Sequence, residues 1–582
     1  MVAPGCPAVA LAPQQHCPFD TALSPLMTST FSPLLLGTPR LDGALVAISS
    51  NAIGPSWADL LQRHGAAAAA TGITGDFALA MPCHDGSVFM AVDRFAIRSL
   101  CYRVDGPNIH VATRADELAT HSNALDPQAL FDYLYFHIIP SPRTVYAGVR
   151  RLPPGHYGHF KDGVLTVAPY WVARFDPARS ASFGSLKDEF RQLLQASVLR
   201  QLDGTPAACF LSGGTDSSTV AGMLAQEAGQ HVTAYSIGFE AEGYDEMVYA
   251  RLAAKHFGVQ HHEYYVTPDD LVRDIPAVAA SYDQPFGNSS ALPTYHCSLQ
   301  AKADGVTRLL AGDGGDELFG GNSRYATQRL FGHYQRVPQA LRSGLMEPFF
   351  GISAVARTPG FSKGASYIRQ ANTPLPDRGQ EYNLLRRLGF TEVLTPAFHA
   401  QINANSVLDQ QRQVWASASC SDDLNRFLAY DWRYTLAECD LPKVVGTTGL
   451  AGLSVGFPML DDALLDFSLR LPVDYKLKGM KLRWFFKEAL RGFLPDEILA
   501  KKKQGFGLPF GVWTMRHAGL KKLAQDALAT LAERGLVNPA FIRSLLVDRM
   551  PEHPHYYGTM VWILIVLEHW LRRHAPTYRI AA

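Results

Sequence analysis

The sequence predicts a mixed α/β protein: a first domain of short antiparallel strands, then a doubly wound parallel sheet with a helical C-terminal part. Three observations carry this expectation. Between residues 207 and 311, β-rich runs alternate with helical patterns at the spacing of β–α–β units. Ahead of them, short alternating runs are separated by turn pairs such as Asp85-Gly86 and Asp105-Gly106-Pro107. With 582 residues the chain is too long for one core, so two or three domains are expected.

Residues 1–40, rich in Pro, Ala and Ser, read as a poorly structured leader. They lack a charged stretch ahead of an apolar one, so no signal peptide is expected. The first domain is expected over 41–175. Its strands are predicted around Ala44–Ile48, Phe77–Met81, Val88–Val92, Cys101–Val104 and Ile109–Val111, with helices near Trp57–His64 and over Pro127–Phe136. The second domain is expected over 185–582. A helical face formed by Phe190, Leu193, Leu194 and Val198 leads into a strand ending at Leu211. Further strands are predicted at His231–Phe239, Glu263–Val266 and Thr307–Ala311, and a helix over Glu246–His256 stops at Gly258. Residues 325–440 read as mostly helical, and Trp562–Trp570 as a core helix.

Composition narrows the function classes. Lys+Arg and Asp+Glu both number 53, so no net field favours nucleic acid or an anionic membrane, and neither is expected as a partner. The longest apolar run, Met560–Leu567, is far short of the ~20 residues that cross a bilayer. The eight cysteines are scattered without Cys-x-x-Cys or framework spacing, as in a reducing compartment, and a cytoplasmic protein is expected.

The most informative stretch is Ala207-Ala208-Cys209-Phe210-Leu211-Ser212-Gly213-Gly214-Thr215-Asp216-Ser217-Ser218. A buried strand turns on two glycines into a helix predicted to be capped by Ser217-Ser218, and unpaired N–H groups at such a helix start cradle anions. A carboxylate at the rim, Asp216, repels a bare phosphate but can hold a Mg²⁺ bridging to one. The Gly-Lys-Ser/Thr of a Walker-type loop is missing. A second stretch, Ala311-Gly312-Asp313-Gly314-Gly315-Asp316-Glu317-Leu318-Phe319-Gly320-Gly321, follows another predicted strand. Ligands of doubly wound sheets sit beyond the carboxyl ends of the strands, which gathers both stretches and Ser236–Phe239 around one crevice.

Ser212–Ser218 resembles the pyrophosphate loop of the N-type ATP pyrophosphatases, which split ATP between its α- and β-phosphates to adenylate a substrate. The Gly312–Gly321 stretch resembles the acidic loop of asparagine synthetases. Gly75-Asp76-Phe77-Ala78, Asp93-Arg94-Phe95, Arg151-Leu152-Pro153-Pro154-Gly155 and Tyr170-Trp171 resemble their glutaminase half, so the first domain is expected to be an Ntn-type α+β sandwich. The resemblance spans roughly residues 75–575 and implies ATP and Mg²⁺. By motif position Asp216 and Asp316 are the expected Mg²⁺ ligands. Ser212, Gly213, Gly214, Ser217 and Ser218 are expected to hold pyrophosphate, and Leu211, Ile237 and Gly312 to flank adenine and ribose. Asp313 stands where the family has a glutamate that serves the incoming amine. Lys503 matches the lysine facing the acyl-adenylate, whereas Lys501 and Lys502 read as a solvated face.

Departures from the family direct the functional reading. The family's glutaminase uses a cysteine whose own α-amine is the base. Residue 2 is Val2, and Cys6-Pro7 does not match the family's Cys-Gly-Ile start, so the glutaminase is expected to be inactive and the nitrogen to come from elsewhere. Farther on, Ser454 and Gly456 replace a Glu and an Arg, and Gly446-Thr447-Thr448 replaces Asp-Arg-Met. Either a structural ion pair is gone or the substrate pocket has opened. These features resemble β-lactam synthetases and, more closely, the macrolactam synthetases of lasso peptides. In the latter an Asp or Glu side chain of a precursor peptide is adenylated and captured by that peptide's N-terminal amine. The resemblance implies the precursor peptide as substrate, with a leader-binding protein and a processing protease as partners. An ammonia-using asparagine synthetase and a non-catalytic scaffold are the alternatives.

Overall fold

The computed structural model describes residues 32–48, 56–120, 124–177, 181–202, 204, 206–228, 232–241, 243–352, 357–358, 361–502, 505 and 507–581. The first domain carries a five-stranded antiparallel sheet in the order Leu34–Gly37, Phe77–Pro82, Val88–Val92, His156–Lys161, Val164–Pro169. Asn108–Ala112, Cys101–Asp105 and Val149–Arg151 form a second, three-stranded sheet. The strands Phe77–Pro82 and Val88–Val92 are buried on both faces. Trp57, at the start of helix Trp57–Ala69, packs on Phe77 and Phe89 on one side. Leu100, Tyr102, Ile109 and Leu152 cover Ala78, Ala80 and Met90 on the other.

Two boundaries differ from expectation. Leu34–Gly37 pairs with Phe77–Ala80, so ordered structure begins before residue 41, because these apolar residues complete the edge of the five-stranded sheet. The strand expected over Ala44–Ile48 shrinks to Ala44–Leu45, which pairs only with Arg40–Leu41.

The sheet of the second domain is parallel, in the order Gln260–Val266, Thr233–Phe239, Ala208–Phe210, Arg308–Leu310, Ser454–Gly456. The chain enters at Ala208–Phe210, winds outward to one edge, and returns to continue on the other side. The order therefore reverses between Ala208–Phe210 and Arg308–Leu310, the strands that lead into the two glycine–acid stretches. A crevice opens at such a reversal because the connections leave in opposite directions.

The C-terminal part is helical. Its last helix, Pro554–His574, is buried among helices that include Pro127–Phe136 of the first domain, where Tyr133 donates to the Ile563 carbonyl at 2.8 Å. A widened π-type turn runs over Trp432–Asp440. A helix starts at Trp484. Lys481–Leu482 pairs back on Leu477–Lys478, and Arg483 takes a left-handed φ of 53°. Among the described residues no helix is long and apolar enough to cross a membrane.

Candidate active site

The loop after Ala208–Phe210 passes between the sheet and helix Met247–Phe257. Gly213 has φ +69°, and a Cβ there would lie 2.6 Å from Tyr249, so no larger residue fits. The helix starts at Thr215, two residues earlier than predicted, which puts Asp216 in its first turn. Ser212 N–H donates to Ser217 Oγ at 3.0 Å, and the two hydroxyls lie 2.9 Å apart. Ser218 departs from expectation. It is fully buried inside the helix, its hydroxyl has no hydrogen-bond partner among the described residues, and it does not reach the crevice.

The acidic loop lies directly on this helix start. A Cβ on Gly312 would sit 2.7 Å from the Ser217 nitrogen, and Gly315 and Gly321 leave room for the carboxylates of Asp216 and Asp316. The glycines of the motif therefore let two backbones and two carboxylates converge.

What the carboxylates converge on is Arg483. Its Nη1 donates to Asp316 Oδ1 at 2.7 Å, Asp216 Oδ2 at 2.9 Å and Thr215 Oγ1 at 2.8 Å, while Nη2 pairs with Asp216 Oδ1. Arg483 is buried and lies over the Phe486 ring. Nothing in the sequence singled it out. The only local signal is a tight hairpin at Gly479 that places one arginine ahead of an aromatic helix. Two acids that share one buried guanidinium form a position complementary to positive charge, so the pair fits a divalent cation. The three-ligand cluster found elsewhere, Asp270, Asp274 and His296, is different in kind. Asp270 there is occupied as a helix cap by Thr267 and by Tyr264 and Arg273.

A cavity of about 380 Å³ adjoins the acids. Leu211, Ile237 and Gly312 line it together with Ser212, Asp216, Ser217, Asp313 and Asp316. A second cavity, about 900 Å³, opens across the same carboxylates and is lined by Gly214, Lys481, Arg483, Lys487, Lys501 and Lys502. Gly213 lines neither and serves the turn. Lys503 lies outside the described residues. Lys501 corrects the expectation of a solvated face: it pairs with Glu246 at 2.8 Å and lies over the Tyr249 ring.

The model of the asparagine synthase family matches residues 189–572, and that of the glutamine amidotransferase domain matches 57–171. The chain belongs to the asparagine synthase family. It is 26% identical to asparagine synthetase [glutamine-hydrolyzing] 1 of Bacillus subtilis over 518 residues, covering 87% of this chain and 79% of that one. It is 22% identical to asparagine synthetase [glutamine-hydrolyzing] 3 of the same organism over 72% of this chain and 64% of that one. With amidase chry2 of Gibberella zeae it shares 26% identity over 46% of this chain and 43% of that one. Family members are ATP-dependent, AMP-forming carbon–nitrogen ligases, and this chain is an enzyme of that class.

Within this synthase the cleft floor is charged. Lys443 Nζ reaches Asp313 Oδ1 at 3.4 Å and Asp440 Oδ1 at 3.3 Å. Burial raises the Asp313 pKa, with Lys443 opposing. Burial also works against the Lys443 ammonium, but Asp440 and Asp313 outweigh it and hold its pKa above the ordinary lysine value. Burial, with Asp440 next, pushes Glu317 up to about 8. The sequence reading missed Asp440 and Lys443. A helix-spaced Asp-x-x-Lys pair is too common to mark a site.

The two substituted family positions do not face this cleft. Ser454 is exposed on the edge strand, with its hydroxyl on the Thr307 carbonyl. A Cβ on Gly456 would meet Arg308 at 2.9 Å and is also blocked by Gln201, in a separate cavity between the domains. Thr447 and Thr448 are buried in their helix and bond back to the carbonyls of Lys443 and Val444. Ser454 and Gly456 therefore leave the cavity beside Asp216 and Asp316, and its charges, unaltered.

Proposed function

We propose that this synthase activates a carboxylate as its acyl-adenylate and joins it to an amine that its own first domain does not make. The observation that carries the first half is the convergence of Asp216 and Asp316 on one cationic position where the sheet order reverses. Leu211, Ile237 and Gly312 form the wall for adenine and ribose. Ser212, Gly214 and Ser217 present hydroxyl and N–H groups to the phosphates at a helix start. Mg²⁺ held by Asp216 and Asp316 would supply charge neutralisation on the leaving pyrophosphate. Arg483, Lys487, Lys501 and Lys502 give that anion a cationic exit. Asp313 and Asp440 face the amine's approach, where an incoming ammonium must lose a proton, and Lys443 fixes both. By motif position Lys503 would offset charge on the tetrahedral intermediate.

The second half is supported by the cysteines of the first domain's described residues. Cys83 and Cys101 are internal, without a free α-amine, and burial raises both thiols. The finer reading is a peptide macrolactam synthetase acting on an Asp or Glu side chain of a precursor peptide, with a leader-binding protein and a protease as partners. It is supported by the aromatic lining of Phe210, Tyr235 and Tyr244 beyond the nucleotide wall. Free aspartate with ammonia is the competing reading, since Lys443 between two acids offers both charges that an amino acid needs. The deciding experiment incubates the chain with ATP, Mg²⁺ and either candidate peptides or aspartate plus an ammonium salt, with and without glutamine. Pyrophosphate release with loss of one water from a peptide supports the finer reading. Efficient turnover of aspartate and ammonia overturns it, and glutamine hydrolysis overturns the inactive first domain.

A further inference from the structure

Two ionic joints tie the first domain to the synthetase domain, one buried at Glu438 and one half-buried at Asp462, and each leads to the acidic loop. The first centres on Glu438, which is buried and accepts from both domains. Arg151 Nη2 donates to its Oε2 at 2.6 Å, and Ser141 Oγ and N–H donate to its Oε1 at 2.7 and 3.1 Å. Arg433 of the synthetase domain closes the same oxygen at 2.5 Å. Burial works against the charged Glu438, but the two arginines and Ser141 hold its pKa below the ordinary value. Glu438 lies on the widened turn Trp432–Asp440, two residues before Asp440. Asp440 pairs with Lys443, and Lys443 with Asp313.

The second joint centres on Asp462. Arg94 Nε pairs with its Oδ1 at 3.0 Å, and the Gly75 N–H donates to Oδ2 at 2.6 Å. Arg94 also pairs with Asp466 at 3.0 Å and stacks on Trp171. Asp462 follows the turn Pro458–Leu460, and the Leu460 side chain packs where a Cβ on Gly314 would be, 2.8 Å from its Cγ. Gly314 is the next residue after Asp313. The two routes therefore arrive at neighbouring positions of one loop, one through charge and one through packing.

Buried ion pairs contribute little net stability, because desolvation offsets most of the attraction. A merely adhesive domain boundary would be served as well by apolar contact. We propose that Arg151 and Arg94 are positioning residues: acting through Glu438 and Asp462, they hold Asp313–Asp316 from two sides. On this account a domain that supplies no ammonia sets the geometry of the adenylation site. The inference rests on the adenylating function proposed above. It accounts for the precise ionic grip between the domains, and it makes the acid loop a part of the structure whose order depends on residues in a different domain.

The test uses the full chain carrying Arg151→Met, Arg94→Met, Arg151→Lys or Glu438→Gln. ATP-dependent pyrophosphate release is measured together with amide hydrogen exchange over residues 311–318. Arg151→Met and Arg94→Met are each expected to lower kcat by about tenfold or more, with KM for ATP within about threefold, since small misplacements act on the reacting geometry. Exchange should rise in 311–318 and not in the strand 233–239, and Arg151→Lys should restore part of both. Glu438→Gln carries the same expectation and is read where Arg151→Met does not fold. Unchanged kcat and unchanged loop exchange beside a lower melting temperature would make the joints adhesive only and overturn the proposal. Exchange rising evenly across the sheet would overturn it too. A wild-type chain that releases no pyrophosphate defeats the adenylating function itself, whereas an active wild type with indifferent variants defeats only the positioning role.

Discussion

The carboxylates of the two domains' glycine-rich motifs are used in opposite ways. In the first domain Asp93 Oδ1 accepts from the Phe95 and Ile97 N–H groups and Oδ2 from the Phe77 N–H. Its neighbour Asp76 is taken by Arg98 and Thr38. At the parallel sheet, the carboxylates of Asp216 and Asp316 both accept from one side chain, Arg483, on the border of two cavities. A carboxylate saturated by its own backbone has a structural role. Carboxylates that meet at one cationic side chain beside two cavities are placed to serve a ligand there. Both domains carry acids in family-like motifs, and the hydrogen bonds show how differently those acids are used.

The sharpest way to break this contrast is Asp316→Asn. Pyrophosphate release should fall by about 10³-fold, the scale of losing a main electrostatic stabiliser, with folding intact by circular dichroism. Asp93→Asn should instead lower stability by about 1–3 kcal/mol in denaturant titration, with activity per folded molecule nearly retained. Equal activity losses in the two variants would erase the distinction.

Next in size is Arg483→Met. Removing the guanidinium leaves two neighbouring carboxylates uncompensated, which costs about 3–5 kcal/mol for a buried pair. The variant should melt lower than wild type without metal and recover more than wild type does when Mg²⁺ is added. A Mg²⁺ response no larger than that of wild type would show that the acids do not share a cation site.

A smaller effect is expected from Glu317→Gln, read as a function of pH. Burial raises the Glu317 pKa to about 8, so between its ordinary value near 4.5 and about 8 the folded chain keeps a proton that the unfolded chain has lost. Stability from this group therefore falls as pH rises through that window. The variant lacks the fall, so its melting temperature relative to wild type should be higher at pH 8.5 than at pH 5. The opposite slope would mean that Glu317 is ionised in the fold.

The smallest effect is expected at the edge strand. Ser454→Glu restores the family's residue type at an exposed position and should change stability by no more than about 0.5 kcal/mol and turnover hardly at all. A large shift in substrate preference, measured with aspartate against peptide, would return this strand to the pocket wall.

Much of the site was legible because its signals are local. A strand that turns on Ser212-Gly213-Gly214 into a helix, and a strand followed by Gly312–Gly321, each read out within a dozen residues. The wall residues Leu211, Ile237 and Gly312 came from the resemblance, by motif position, and they line one cavity. Ser218 was misjudged by helix register. Starting the helix at Thr215 turns that hydroxyl inward. The hairpin ahead of Arg483 was not legible because two-residue strands leave almost no periodicity to detect.

By itself the sequence determined the order of strands and helices and the two acid-bearing loops, which are local signals, and the rule for doubly wound sheets gathered those loops around one crevice. Only the tertiary structure decided that a residue 267 positions from Asp216 would bridge the two acids, that Lys443 would lie between Asp313 and Asp440, and that Ser454 and Gly456 would face away. Those outcomes depend on which surfaces meet after the sheet closes and the first domain docks, and side-chain pairing across such distances leaves no periodic trace in a single chain.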